Sequence, residues 1–213
     1  MKYKAVIFDL DGVIVTTDEC HYKGWKKLAD EEGIYFDREI NRRQRGVSRM
    51  ESLEVLLEKA ERTYTQEEKT EMAERKNNYY REYIKSLTPA DTLPGVMDFC
   101  SYLRENGVKL AIGSSSKNTP TILAGIGLDN YFDAVADGNQ IKNSKPDPEV
   151  FLLAAKLLGI DPADCMVVED AEAGVEAALA GGMDVLGVGD SVVNTNATYK
   201  AESLAKFNID LIK

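Results

Sequence analysis

Two aspartates stand two residues apart in the run AVIFDLDGV, Ala5 to Val13, as Asp9 and Asp11. Carboxylates that close repel each other, and a fold keeps them together for a cation or a shared proton. Such a pair can supply a nucleophile and an acid/base to one substrate; the plainer alternative is an Asx turn that closes a strand. A second acidic pair, Glu169 and Asp170, follows the apolar run from Met166 to Val168. Carboxylate oxygens of this kind are the hard ligands that magnesium prefers. Between the two pairs lie Ser114, Ser115, Ser116, Lys117 and Asn118, at the end of another apolar run. Small hydroxyls, backbone N–H groups and a lysine at a helix start make an anion site, or else a serine-rich helix cap. Lys145, before Pro146, adds either one more cation or a solvated surface lysine. Taken together, these groups equip a crevice for phosphoryl transfer.

The elements that must position these groups are legible as an alternation. Ala5 to Phe8 reads as a strand buried on both faces. Further strands are expected at 109–113, 134–136, 166–169 and 185–188, alternating with helices near 95–106, 119–124, 148–158 and 172–180. Alternation of this kind predicts an α/β fold, a Rossmann-like doubly wound parallel sheet with helices on both sides. A last short strand is expected near Tyr199 and a helical turn around Leu204. The block 16–90 has no strand pattern, and three helical stretches, 19–32, 49–60 and 66–87, carry apolar stripes. The expected domains are therefore a core, 1–15 with 91–213, and an all-helical cap, 16–90, inserted after the first strand. Lys76 stands four residues from Met72 and from Tyr80, on the apolar face of the third stretch. It either snorkels or reaches a ligand.

Composition narrows the partners. With 26 Lys+Arg against 36 Asp+Glu among 213 residues, the net charge of −10 disfavours a broad nucleic-acid surface. No run approaches the roughly 18 to 20 apolar residues of a membrane span, and MKYKAVIF leads straight into the first strand, so no signal peptide is expected. Cys20, Cys100 and Cys165 are widely spaced without a C-x-x-C, which fits a reducing cytoplasm and neither a disulfide framework nor a zinc site. The expected partner is a small molecule, with no nucleic acid or membrane, and the expected state is a monomer. In so acidic a chain the cluster Arg42, Arg43, Arg45 and Arg49 points to a second phosphate site, Arg42 and Arg43 being expected on a solvated face.

Four ordered pieces, FDLDG (Phe8 to Gly12), SSS (Ser114 to Ser116), SKP (Ser144 to Pro146) and VEDAEAG (Val168 to Gly174), resemble the haloacid dehalogenase superfamily of phosphotransferases. The resemblance implies that Asp9 is the nucleophile and Asp11 the general acid/base. It implies Mg2+ between Asp9, the backbone carbonyl of Asp11 and Asp170, with Glu169 adjacent. Ser114, the Ser115 backbone and Lys145 would hold the transferring phosphate, and Arg49 with Ser116, Lys117 and Asn118 a second one. Gly46, Val47 and Ser48 would line the sugar pocket, His21 and Lys76 would work from the cap, and Thr17 would serve the hinge. His21, RGVSR from Arg45, Lys76 and SKN from Ser116 are similar to the superfamily's sugar mutases. They imply an isomerase that interconverts β-glucose 1-phosphate and glucose 6-phosphate through β-glucose 1,6-bisphosphate. A sugar-phosphate phosphatase is the alternative, and a non-enzymatic phospho-receiver a remoter one, because a receiver needs no helical insert. The chain departs from the family pattern at Thr16, where aspartate is usual, and at Arg45 and Ser115, where lysine and alanine are common.

Overall fold

The computed structural model describes residues 1–44, 48–189 and 192–213. Their contacts divide the chain into an α/β unit, Met1–Thr16 with Thr88–Lys213, and a helical unit, Thr17–Leu87.

The α/β unit is built on six parallel strands: β1 (Ala5–Phe8), β2 (Lys109–Gly113), β3 (Ala134–Ala136), β4 (Cys165–Glu169), β5 (Asp184–Val188) and β6 (Tyr199–Ala201). Their order is β3-β2-β1-β4-β5-β6. All four residues of β1 are buried, as a strand covered on both faces requires. Ala5 and Ile7 join a cluster with Ala111, Val167 and Phe151, whereas the Phe8 ring meets the edge of Phe99 at 6.1 Å. The strand order reverses between β1 and β4, and ligands of open α/β sheets gather beyond the carboxyl ends of strands at such a point.

The helical unit contains α1 (Asp18–Glu32), α2 (Arg38–Arg42), α3 (Arg49–Leu57) and α4 (Gln66–Ile84); α5 (Val96–Glu105), α6 (Thr119–Gly125), α7 (Glu149–Leu158) and α8 (Glu172–Ala180) belong to the α/β unit. Trp25, Leu28 and Ala29 of α1 pack with Ile40 of α2, Leu53 and Leu56 of α3, and Met72 and Ala73 of α4. Helix α2 is the element that periodicity misses: five residues give too short a stripe, and a side-chain cap starts it, with Ile40 N–H donating to Asp37 Oδ1 at 2.9 Å. Helices α3 and α4 stop about a turn before the apolar pattern does, at Leu57 and Ile84. Among the described residues, no helix is long and apolar enough to cross a membrane.

Candidate active site

Register places the first acidic pair beside the second. Phe8 of β1 is paired with Val168 of β4, so the next residues, Asp9 just past β1 and Glu169 at the end of β4, stand side by side, and Asp9 N–H donates to the Val168 carbonyl at 3.0 Å. Carboxylate oxygens of Asp9, Glu169 and Asp170 lie within 4.8 Å of one another. Lys145 Nζ bridges two of the three, donating to Asp9 Oδ1 at 2.5 Å and to Glu169 Oε1 at 2.6 Å. The second oxygen of Glu169 accepts from Ala171 N–H at 2.8 Å.

Two glycines make this approach possible. Gly12 turns the chain after Asp11 at φ +88°, and a Cβ there would stand 2.1 Å from Asp170 Oδ2. At Gly174 in the first turns of α8, a Cβ would stand 1.8 Å from Glu169 Oε1. Any side chain at either place would push the second acidic pair away from Asp9.

Among the described residues, three clustered carboxylates, Asp9 and Glu169 buried and Asp170 half-buried, share one ammonium, which leaves the site short of positive charge. Burial, then Glu169, Asp9 and Asp11, push Asp170 up to about 8. Burial also raises Glu169, against the pull of Lys145. Lys145 is depressed by burial, but Asp9 and Glu169 more than offset this and hold it charged. A divalent cation with a taste for oxygen fits this donor set, whose acids would then ionise together. The Asp11 side chain is outside the three-residue cluster, although its charge acts on Asp170. Its backbone forms an isolated bridge with Val15.

The serine loop continues from β2. Ser114 is buried and its N–H donates to the Ala136 carbonyl at 3.1 Å. Ser114 Oγ accepts from Ser116 N–H and Ser116 Oγ from Asn118 N–H, each at 3.2 Å, so these hydroxyls also brace the loop. The hydroxyl between them, Ser115 Oγ, is enclosed and has no hydrogen-bond partner.

The helical unit gathers a second set of expected residues. Lys76 is only 2% exposed, so it does not snorkel. Its ammonium lies 4.7 Å from the Trp25 ring centroid and 5.0 Å from that of Tyr80. It also stands 2.9 Å from His21 Nδ1. An ammonium can only donate, which assigns Nδ1 as acceptor and puts the imidazole proton on Nε2. Burial first, then Lys76 and Arg49, hold the His21 pKa well below the usual range. Tyr80 stacks on His21 with centroids 4.2 Å apart and donates to Thr17 Oγ1 at 3.2 Å. Trp25 and Tyr80 were not among the expected site residues; the signal for Tyr80 was its place one turn beyond Lys76 on the same face.

Arg49 opens α3 within a reciprocal capping box: Glu51 N–H donates to Ser48 Oγ at 3.3 Å, and Ser48 N–H to Glu51 Oε2 at 2.7 Å. Burial lowers the Arg49 pKa. Arg42 pairs with Glu39 at 3.1 Å and Arg43 with Glu58 at 2.7 Å, both exposed, as a solvated face requires. Arg45, Gly46 and Val47 lie outside the described residues.

Comparison with known proteins extends this picture. Residues 3–182 match the model of the haloacid dehalogenase-like hydrolase family. The chain is 42% identical over 211 residues to a β-phosphoglucomutase of Bacillus subtilis, covering 98% of this chain and 93% of that protein. It is 32% identical over 206 residues to a phosphorylated carbohydrates phosphatase of Thermotoga maritima, covering 95% and 93%. Among solved structures, a β-phosphoglucomutase from Clostridium difficile is similar, with a TM-score of 0.88, 40% identity, and coverage of 99% of this chain and 95% of that one.

Proposed function

The chain belongs to the haloacid dehalogenase-like hydrolase family, and from that premise we propose that it works as a β-phosphoglucomutase, an isomerase that moves a phosphoryl group between the C1 and C6 oxygens of glucose. Phosphorylated Asp9 gives its phosphoryl group to the C6 hydroxyl of β-glucose 1-phosphate, and Asp11 takes the hydroxyl proton. The resulting β-glucose 1,6-bisphosphate turns around. Asp9 then attacks the C1 phosphate, and Asp11 returns the proton to the leaving O1, which yields glucose 6-phosphate and restores the aspartyl phosphate. Splitting the transfer in two spares either step from displacing one sugar oxygen directly with the other.

Lys145 neutralises the transferring oxygens with the ammonium that now bridges Asp9 and Glu169. Ser114 Oγ and the Ser115 N–H hold the same phosphate. Asp9, Glu169, Asp170 and the Asp11 carbonyl would hold Mg2+, which supplies counter-charge to the carboxylates and the phosphoryl oxygens when bound. Arg49, Ser116, Lys117 and Asn118 take the non-transferring phosphate, an arginine fork suiting the dianion. Gly46, Val47 and Ser48 meet the sugar. His21, held neutral with its proton on Nε2, offers a donor that does not titrate in the working range. The helical unit, with Thr17 at its hinge, keeps water from the aspartyl ester, the requirement that separates a mutase from a phosphatase. We assign the chain to the cytoplasm, its three cysteines being odd in number and widely spaced, and we take it to be a monomer.

The observation that carries the mutase over the phosphatase is the 42% identity to a mutase across 98% of the chain. The phosphatase reading draws on the 32% identity to a carbohydrate phosphatase. The deciding experiment incubates purified protein with Mg2+ and β-glucose 1-phosphate, primed with a trace of the bisphosphate. Glucose 6-phosphate is expected without inorganic phosphate; stoichiometric phosphate release would establish the hydrolase instead.

A further inference from the structure

The loop after β3 carries a buried carboxylate for which the chemistry above has no use. Asp137 is 6% exposed and lies outside the acidic cluster that surrounds Lys145. Its bonds all serve one turn. Asp137 Oδ1 accepts from Asn139 N–H at 2.8 Å and Oδ2 from Asn139 Nδ2 at 3.3 Å. Asp137 N–H donates to Gln140 Oε1 at 2.9 Å, and Gln140 N–H returns to the Asp137 carbonyl at 3.0 Å. An Asx turn closed this way has its geometry set by the carboxylate.

What the turn presents is a continuation of the sheet. The β2–β3 ladder pairs Gly113 with Ala136 and extends one step, with Ser114 N–H donating to the Ala136 carbonyl at 3.1 Å. Gly138 N–H then donates to the Ser116 carbonyl at 3.2 Å, and Asn139 Nδ2 to the Lys117 carbonyl at 3.0 Å. A backbone rung and a side-chain rung thus carry the ladder past both strands. The fit is tight, since a Cβ at Gly138 would stand 2.2 Å from the Ser115 carbonyl oxygen. The course of Ser116 and Lys117 is therefore dictated from the neighbouring loop.

We infer that Asp137 is a positioning residue for the substrate's non-transferring phosphate, acting through Gly138 and Asn139 on the backbone of Ser116 and Lys117. The inference rests on the assignment of Ser116, Lys117 and Asn118 to that phosphate. Asp137 touches no reacting atom, so it sets where the substrate sits and not how fast phosphorus changes hands.

The test compares Asp137→Ala with Asp137→Asn, which keeps the Oδ1 acceptor. Asp137→Ala is expected to raise KM for β-glucose 1-phosphate about tenfold, the loss of about one hydrogen bond. Its kcat, and the phosphorylation of Asp9 by acetyl phosphate, which has no second phosphate, stay within about twofold. Asp137→Asn is expected to return KM to within about twofold of the parent. An unchanged KM in Asp137→Ala, or parallel losses in KM, kcat and acetyl-phosphate reactivity, overturns the inference. If Asp137→Ala does not fold, Asn139→Ala decides, since it removes the bond to the Lys117 carbonyl and leaves the buried carboxylate in place; a KM rise of about threefold is expected, and none overturns the inference. A parent protein with no mutase flux would instead refute the proposed function, so the two failures are distinguishable.

Discussion

In the α/β unit, Asp9, Glu169 and Asp170 form one cluster in which the Lys145 ammonium bridges the first two; in the helical unit the Lys76 ammonium rests against the Trp25 and Tyr80 rings and the His21 imidazole. Both regions bury charge, but they stabilise it with different physics. The first uses full charges of opposite sign in unequal number, so its balance shifts whenever a proton or a divalent ion enters. The second uses ring quadrupoles, worth up to about 2 kcal/mol when desolvated, and an imidazole that stays neutral. A region of unequal charge is suited to a reaction that creates and moves negative charge. An ammonium packed against aromatic rings and an imidazole is suited to hold its shape while that happens.

The largest effects are expected where the unequal charge is touched. Asp9→Asn keeps the size and removes the proposed nucleophile, and mutase flux in a coupled assay is expected to fall by about 10^4-fold or more. Flux within about tenfold of the parent would remove Asp9 from the chemistry. Lys145→Met comes next. It takes away the cation that faces Asp9 and Glu169, whose side chains are 11% and 1% exposed. Breaking a buried pair on one side costs about 3–5 kcal/mol, so the metal-free variant is expected to unfold at markedly lower denaturant. Mg2+ is expected to recover part of that loss by replacing the missing charge. Equal destabilisation with and without Mg2+ would mean that the region does not rely on charge balance, and the contrast with Lys76 would fail.

How much of this contrast could be read from the residues alone follows from the range of the interactions involved. The strand ends that carry Asp9, Ser114 and Glu169 were legible, because short apolar runs stopping at polar groups leave a strong local signature. That Phe8 is paired with Val168, and so brings Asp9 beside Glu169, is a matter of register between strands some 160 residues apart, on which local pattern is silent. Gly12 could be read as a turn, but the reason for Gly174, the pressing of Glu169 against α8, belongs to packing. Helical spacing placed Lys76 on an apolar face; it could not tell water from the aromatic rings that meet it. Ser48 and Glu51 spell a capping box in sequence, yet the same serine was expected to line the sugar pocket, so its cap went unread. The Asp137 turn was invisible because its meaning lies in two carbonyls of another loop.

The smallest effects concern protons, and they separate the two regions most sharply. Asp170 sits at about 8 in the metal-free protein, far above the ordinary carboxylate range, and Glu169, raised by burial, acts with the same sign. A folded-state pKa raised in this way gives stability that is complete below the unfolded value and lost as pH climbs to the folded one. His21 runs the other way. Its folded pKa is depressed, so the unfolded chain binds a proton below about 6.5 that the folded one refuses, and stability rises with pH up to that point. Where the chain unfolds in one transition, the two slopes oppose each other below about pH 6.5 and leave a fall of order 1–2 kcal/mol between there and pH 8. Where it unfolds in two, each transition carries its own slope. Saturating Mg2+ is expected to abolish the alkaline fall and leave the His21 slope unchanged, as read from urea denaturation at half-unit steps of pH. His21 is the one histidine in the sequence, so its ring proton resonance is unambiguous, and it is expected to show no titration near 6.5 with or without Mg2+. A titration centred near 6.5 would show the imidazole to be solvated and the Lys76 contact absent in solution. The charge of the helical unit would then respond to pH as that of the acidic site does.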